Sequence, residues 1–190
     1  SCGFEINSAS AYEVSAVFGI PILSTTTIHS GVRALRISSL GSGTAKGESV
    51  GFSATNDGPF YFRAYFQYAT LPSADNRIIV INNTTGLAIP EVWVDLKSDG
   101  TLEFNDEDAV LATTSALSSS TWYRLEIAYD RTPVGGSEIL AFYVDGSTIV
   151  SATNRNLSVG AAGFSIGGNL ASEAQTTGDW FFDDIGINNS

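Results

Sequence analysis

The sequence contains one cysteine, one histidine, two lysines and no methionine. A single cysteine, Cys2, excludes an internal disulfide and a cysteine-rich zinc site, and a single histidine, His29, excludes a metal cluster built on histidines. Lysine and methionine are good helix formers, so their scarcity beside abundant Gly, Ser and Thr favours strands and turns. No apolar run approaches the roughly 20 residues of a membrane-spanning helix, so we expect no membrane insertion.

Basic residues are also few, since 9 of them stand against 20 acidic residues and leave a net charge of −11. Such a surface repels nucleic acid and anionic lipid, which we therefore do not expect as partners. It suits cations such as Ca²⁺ and neutral polymers, although solubility alone explains it equally well. The 190 residues show no linker-like segment and no change of composition, which predicts one domain over 1–190.

Apolar and polar residues alternate along most of the chain, with turn residues between the alternating stretches. Asp-Gly at 99–100 and at 145–146 predicts two hairpins with type I′ turns. Only 107–116 and 170–175 are candidates for a short helix. The pattern predicts an all-β fold, an antiparallel β-sandwich of jelly-roll type with two curved sheets and about twelve strands, at residues 3–6, 32–38, 51–54, 60–69, 77–82, 91–97, 101–105, 122–130, 138–144, 148–153, 163–167 and 179–187.

The strand at 60–69, FYFRAYFQYA, is the most informative one. Its alternation predicts a core face made of Phe60, Phe62, Ala64, Phe66 and Tyr68. The opposite face mixes aromatic rings with hydrogen-bonding groups, namely Tyr61, Arg63, Tyr65 and Gln67. Sugars offer C–H faces for stacking and hydroxyls for polar contacts, so this face is a candidate glycan-binding surface. Cross-strand pairing on an exposed sheet face is the alternative.

The strand at 91–97 repeats this pattern and adds Glu91 and Trp93 to the candidate ligand-binding residues, unless a loop covers them. Glu91 and Asp95 are about 13 Å apart on a strand, too far for a pair of glycosidase carboxylates. His29 could serve a lyase site together with a tyrosine, although a structural role is the expectation for a single histidine beside a glycine turn.

Two adjacent aspartates interrupt the apolar strand WFFDDIGI at 180–187. Residue parity places Phe181, Asp183, Ile185 and Ile187 on one face, and the isoleucines mark that face as core. A buried carboxylate must be hydrogen-bonded, ion-paired or metal-bound. Glu5 stands in a similar apolar setting, so Glu5 and Asp183 are candidate ligands of a structural Ca²⁺. Hydrogen bonding of Asp183 without a metal is the alternative. The acidic cluster NDED at 105–108 is interpreted as a solvated turn.

An ordered set of motifs resembles the concanavalin A-like lectin/glucanase (laminin-G-like) jelly-roll domains: GFE at 3–5, SGVRALRIS at 30–38, FYFRAYF at 60–66, TWYRLEIAY at 121–129, FYVDGSTIVS at 142–151, FSIGG at 164–168 and WFFDDIGI at 180–187. The resemblance implies two curved sheets that bind glycans on the concave face or at edge loops. The GFE opening and the DDI ending also resemble carbohydrate-binding modules of another topology, which implies calcium binding by Glu5 and Asp183. The catalytic motif of the hydrolase branch and the Arg, Gln-x-His and Tyr motifs of the alginate lyase branch are not found.

The sequence therefore predicts a non-catalytic, glycan-binding or adhesive extracellular domain with a polysaccharide partner and a candidate structural calcium. One alternative is a structural surface protein, such as a phage capsid-decoration or tail-associated protein, which implies a homo-oligomer or attachment to a larger assembly on a cell or virion surface. The other alternative is a polysaccharide-degrading enzyme whose site the motifs do not identify.

Overall fold

A computed structural model describes residues 16–18, 22–40, 46–56, 59–82, 90–132, 138–155, 157, 161–168, 170 and 176–188. Within these ranges, no helix has the length and apolarity needed to cross a membrane. The described residues form fourteen strands: β1 Ala16–Phe18, β2 Ile22–Ser24, β3 Ala34–Leu40, β4 Lys46–Asn56, β5 Phe60–Thr70, β6 Asn76–Asn82, β7 Pro90–Leu96, β8 Leu102–Asp106, β9 Val110–Thr113, β10 Tyr123–Asp130, β11 Glu138–Val144, β12 Ser147–Arg155, β13 Ala161–Gly168 and β14 Thr176–Asn188.

The strands form two antiparallel sheets of seven strands each. The first sheet has the order β1-β4-β13-β6-β7-β8-β9, and the second sheet has the order β12-β11-β10-β5-β14-β3-β2. Every strand pair among the described residues is antiparallel. The predicted antiparallel β-sandwich is therefore confirmed.

The core lies between the two sheets, and aromatic rings join them. Phe62 of the second sheet meets Phe164 of the first with ring centroids 5.1 Å apart, and Phe142 stacks on Phe104 at 5.0 Å. Aromatic pairs at such distances stabilise a core beyond the area that they bury. The predicted core face of β5 is confirmed, because each of its members is at most 5% exposed: Phe60, Phe62, Ala64, Phe66 and Tyr68.

An ion pair between a buried aspartate and a partly buried arginine also links the sheets, where the sequence predicted only a solvated turn. Asp106 ends β8, is 3% exposed, and accepts hydrogen bonds from Nε and Nη2 of Arg155 on β12. Its Oδ1 also accepts the backbone N–H groups of Asp108 and Ala109, each at 3.0 Å. The solvated-turn interpretation is wrong for Asp106, because its carboxylate both closes the turn and pairs with an arginine of the other sheet.

The prediction of a short helix at 107–116 is wrong. Val110–Thr113 instead forms β9, which pairs with β8 at the edge of the first sheet. Backbone hydrogen bonds to a neighbouring strand outweigh a weak local preference. The predicted strand at 3–6 and residues 171–175 of the other predicted helix lie outside the described residues.

Both predicted hairpins are present, but only one has the predicted turn. Asp145 and Gly146 have φ values of 52° and 78°, as a type I′ turn requires. In the other hairpin Gly100 has a φ of 87°, and its N–H donates to the carbonyl of Lys97 at 3.0 Å. That turn is therefore centred on Ser98 and Asp99, and Gly100 takes the left-handed position after it.

Candidate functional site

The two adjacent aspartates form a β-bulge in β14. The pairing of β14 with β5 shifts register between Asp183 and Gly186, and Asp184 has a φ of 47°. Aspartate tolerates this left-handed conformation better than most residues do. A bulge inserts one extra residue into a strand, so the side chains after it face the opposite way from simple alternation.

The bulge corrects the predicted facing of this strand. Trp180 and Phe182, both 0% exposed, lie in the core before the bulge, and Ile185 lies in the core after it. Ile187 is 38% exposed and not a core residue. The prediction that Asp183 shares a core face with the isoleucines is therefore wrong. Asp183 is 0% exposed for another reason, which is a loop that covers it.

The covering loop, residues 25–33 between β2 and β3, is called here the His29 loop. Oδ2 of Asp183 accepts the backbone N–H groups of His29 at 2.9 Å and Ser30 at 3.2 Å, and Oδ1 accepts the N–H of Asp184 at 2.8 Å. Burial raises the pKa of the Asp183 carboxyl, and these three donors offset the rise only in part. Asp183 therefore anchors the His29 loop to the outer face of the second sheet.

The described residues do not test the predicted calcium site at Glu5 and Asp183. Glu5 lies outside the described residues, so its distance to Asp183 is not defined. Within the described ranges, no group of three or more His, Cys, Asp or Glu side chains could hold a metal ion. Three N–H donors already occupy the Asp183 carboxylate, which is the hydrogen-bonded alternative that the sequence left open. Calcium binding by Glu5 and Asp183 stays a prediction.

Asp184, the second aspartate, holds the imidazole of His29. Its Oδ2 lies 2.7 Å from Nδ1 of His29, and the hydroxyl of Ser30 donates to both carboxylate oxygens at 2.8 and 2.9 Å. Burial raises the pKa of the Asp184 carboxyl, but the hydrogen bonds from His29 and Ser30 outweigh it and leave the pKa below its ordinary value. With Nδ1 engaged, Nε2 is the ring nitrogen left for proton transfer.

The imidazole of His29 also packs against two aromatic rings. It stacks on Tyr65 with centroids 3.6 Å apart and ring planes 16° apart, and it meets the edge of Trp122 at 5.7 Å. Tyr65 was predicted to bind sugar by stacking, but His29 already covers one face of its ring. The arrangement resembles the general pattern of a proton-transfer group oriented by a carboxylate.

A groove of about 600 Å³ lies beside this cluster, on the outer face of the second sheet. Two rows of cross-strand neighbours run across β11, β10, β5 and β14 at this place. The row nearer to His29 consists of Tyr143, Glu126, Arg63 and Gly186, and the next row consists of Ala141, Ala128, Tyr61 and Asn188. The volume is within the range of about 300–1,000 Å³ that small-molecule and sugar-sized ligands occupy.

The groove carries positive charge inside an otherwise acidic protein. Arg63 takes part in none of the ion pairs found among the described residues. Gly186 leaves room for it, because a Cβ there would lie 3.3 Å from Nη2 of Arg63. Arg124 pairs with Glu126 at 3.1 Å. The charge of Arg63 does reach Asp184, where it helps to lower the pKa of that carboxyl. An arginine that no carboxylate contacts directly is still suited to bind an anionic group of a ligand.

The structure separates the predicted ligand-binding residues into two groups. Tyr61, which is 51% exposed, lines the groove together with Arg63, and Tyr65 lies beneath His29. Gln67 is on the same strand face but is only 6% exposed.

Glu91 and Trp93 are on β7 in the first sheet, so they do not contribute to this groove. Glu91 is 0% exposed. The indole N–H of Trp93 donates to Asp95 at 3.0 Å, and the guanidinium of Arg77 lies 4.2 Å from the Trp93 ring centroid. One face of the Trp93 ring is therefore occupied by an arginine of its own sheet.

Sequence reasoning missed several residues of the site. Asp184 and His29 are 155 residues apart, and no motif connects them. A usable signal existed for the strand YRLEIAYD at 123–130, because its alternation places Arg124 and Glu126 on the outer face opposite Leu125 and Ile127. Pairing that strand with FYFRAYF would have predicted the charged row of the groove.

No protein-family model and no curated protein matches the chain, whereas solved structures of similar fold do. An endo-β-1,4-glucuronan lyase of the fungus Trichoderma reesei matches with a TM-score of 0.68 and 12% identity, over 95% of this chain and 92% of that one. A cellulose-induced protein matches with a TM-score of 0.66 and 19% identity, over 90% and 86%. An alginate lyase matches with a TM-score of 0.62 and 12% identity, over 82% and 74%.

These neighbours correct the functional prediction from the sequence. The predicted non-catalytic binding or adhesive domain is wrong on this comparison, because the neighbours include glycan-active enzymes and favour the polysaccharide-degrading alternative. They lend no support to the lectin, adhesion or virion interpretations. At these identities the likeness concerns the fold alone, which the chain shares with these three structures.

Proposed function

We propose that the protein is a lyase that cleaves an anionic polysaccharide, with the groove on the outer face of the second sheet as its active site. The observation that carries the proposal is the imidazole of His29, oriented by Asp184 at 2.7 Å and placed beside a groove that is lined by Arg63. The lyase neighbours support it, since their names give glucuronan and alginate as substrates. The ordered motifs support assigning the sandwich to the concanavalin A-like class, and an extracellular location fits the substrate.

Eliminative cleavage of a uronate polymer sets three tasks for the site. A base removes the proton on C5 of the uronate, which lies next to the carboxylate. The C4–O4 bond then breaks, a C4=C5 double bond forms, and the departing O4 takes up a proton. The negative charge that develops on the carboxylate must be stabilised, which is where preorganised positive charge lowers the barrier most.

Residues in the groove and beside it match these tasks. Arg63 and Tyr65 are two positions apart on one face of β5, roughly 7 Å, so a sugar whose carboxylate binds Arg63 has its ring next to the imidazole stacked on Tyr65. We assign His29, through Nε2, as the base, because Asp184 holds Nδ1. Tyr143 lines the groove on the opposite side from Arg63 and is assigned as the proton donor to O4.

The test is an activity assay on polyglucuronate, polymannuronate and a neutral β-glucan, which follows the ultraviolet absorbance of the new double bond and the number of reducing ends. We expect both signals to rise together on an anionic polymer and neither on the neutral one. His29→Ala should lower the rate at least 100-fold, as loss of a general base does. Trp93→Ala, on the other sheet, is the matched control and should keep the rate. Reducing ends without absorbance would indicate hydrolysis and contradict the proposal.

A further inference from the structure

The His29 loop covers the sheet surface next to one end of the groove. The residues of the next row beyond Arg63 on β5 and β14 are Tyr65 and Asp183, which are cross-strand partners. His29 covers the Tyr65 ring at 3.6 Å, and the same loop leaves Asp183 0% exposed. The outer face of these two strands is therefore covered by protein at the row where the groove ends.

The same row is filled on the neighbouring strands as well. Arg124 on β10 lies against the turn that joins β11 and β12, because a Cβ at Gly146 would come within 2.9 Å of its Nη2. The backbone N–H of Arg124 donates to Oδ1 of Asp145 at 2.8 Å, which fixes the turn beside it. Since β11 ends at Val144, the sheet surface does not continue past this turn on that side.

Trp122 joins the two halves of this barrier. It directly precedes β10 and meets the imidazole of His29 edge-on at 5.7 Å. From β14 to β11 the barrier thus consists of the His29 loop, Trp122 and Arg124 on its turn. All of these groups are tied to the sheet by the hydrogen bonds and ring contacts already described.

Among the described residues, the opposite end of the groove has a shallow floor. There the groove is lined by the small side chain of Ala128 on β10 and by Tyr61, which is 51% exposed, whereas Ala141, the neighbour of Ala128 on β11, is 2% exposed and does not line the groove. Ile187 beside it is 38% exposed. The small side chain of Ala128 leaves this floor shallow, and the exposed aromatic ring of Tyr61 beside it is suited to stack on the C–H face of a sugar.

We infer that the enzyme acts from a chain end, so that a terminus of an anionic polysaccharide enters over Ala128 and stops against the barrier at His29. This inference rests on the proposed function. Tyr61 and Tyr65 are four positions apart on one strand, about 13 Å, which limits the groove to a short oligosaccharide. Because the assigned base is itself part of the barrier, cleavage occurs at the closed end and releases a product of one or two sugars.

The first experiment follows product sizes on polyglucuronate and polymannuronate from the earliest time points. We expect mono- or disaccharide from the start, with little fall in solution viscosity, and end-labelled hexasaccharides that lose only one of their two ends. A ladder of intermediate lengths with a rapid fall in viscosity would overturn the inference while leaving the proposed lyase activity intact.

Two variants locate the entrance and the barrier. Ala128→Phe adds a ring to the shallow end and should lower kcat/KM at least 10-fold. Trp122→Ala removes the link in the barrier without touching a core residue and should allow longer products. An unchanged kcat/KM of Ala128→Phe would contradict entry over Ala128. Unchanged product lengths with Trp122→Ala would contradict the barrier.

A binding measurement decides the geometry even if no elimination is found. Tyr143→Phe removes the assigned proton donor and keeps the barrier, so hexaglucuronate with a bulky fluorophore on one end or the other can be titrated without being consumed. We expect a cap on one end to weaken binding at least 10-fold and a cap on the other end to be tolerated. Equal binding of both capped forms would overturn the closed groove.

Discussion

Replacing Asp184 with asparagine tests the link between the second aspartate and the chemistry of His29. Asparagine has the same shape and also tolerates the φ of 47° at this position, so the bulge should persist. The change removes the charge that holds Nδ1 of His29 at 2.7 Å. Hydrogen bonds to a charged group contribute about 1.5–3 kcal/mol when buried, and Asp184 is 25% exposed, so we expect the free energy of unfolding to fall by roughly 1–2 kcal/mol.

The effect on the reaction should be larger than the effect on stability. A carboxylate that orients a catalytic imidazole contributes about 10²–10⁴ in kcat, so we expect kcat on an anionic polysaccharide to fall by at least about 100-fold. Asp184 does not line the groove, so KM should change by only a few-fold. The assay is the initial rate of double-bond absorbance, with the folded state checked by circular dichroism and thermal melting.

The pH dependence of stability gives an independent readout. The pKa of Asp184 is lowered in the folded protein, so its ionised form contributes stability above the ordinary carboxyl pKa of about 4, and this contribution is lost as the pH falls through the folded-state pKa. The difference in unfolding free energy between the wild type and Asp184→Asn should therefore be constant near pH 5–6 and shrink below about pH 4.

Ser30→Ala is the matched control, because it removes the hydroxyl contacts to Asp184 and leaves the contact to His29. It should lower stability by about 1 kcal/mol and keep kcat within a few-fold. If Asp184→Asn is folded and turns over at the wild-type rate, then Asp184 does not orient a catalytic base and the assignment of His29 is refuted.

Three further predictions concern binding, the sandwich and calcium. Arg63→Gln should raise KM for an anionic polysaccharide and lower kcat/KM at least 10-fold, measured by the same assay; an unchanged kcat/KM would remove Arg63 from the substrate site. Asp106→Asn should lower the free energy of unfolding by about 2 kcal/mol in denaturant titrations, since it removes the charge that pairs with the partly buried Arg155. Asp108→Asn changes an exposed carboxylate 3.9 Å from the same arginine and should cost under about 0.5 kcal/mol. If calcium binds at Asp183, chelation should lower the Tm, and an unchanged Tm with no calcium by elemental analysis would contradict that prediction.

Much of the fold could be predicted because its signals are local. Alternation in FYFRAYFQYA predicts which side chains of β5 face the core, and burial of Phe62 and Phe66 confirms it. The Asp145-Gly146 dipeptide predicts its own turn, because the conformation depends on those two residues. Such features need no knowledge of the partner strand.

Predictions that depended on unbroken alternation failed. The facing of β14 was predicted by counting parity through Asp183 and Asp184, and a single extra residue in the bulge reversed it. The turn at Asp106 was assigned to solvent because its partner, Arg155, is 49 residues away. In both places a tertiary contact, not the local pattern, decides where the side chain lies.

The sequence by itself determined an all-β chain and the two faces of its central strand, because alternation and turn residues act over a few positions. Only the tertiary structure decided that Asp184 meets His29 across 155 residues, and that Trp93 belongs to the sheet without the groove. Strand order and the path of a covering loop depend on contacts that close over long stretches of chain. The chemistry of the site follows from those contacts, and no local pattern of residues encodes them.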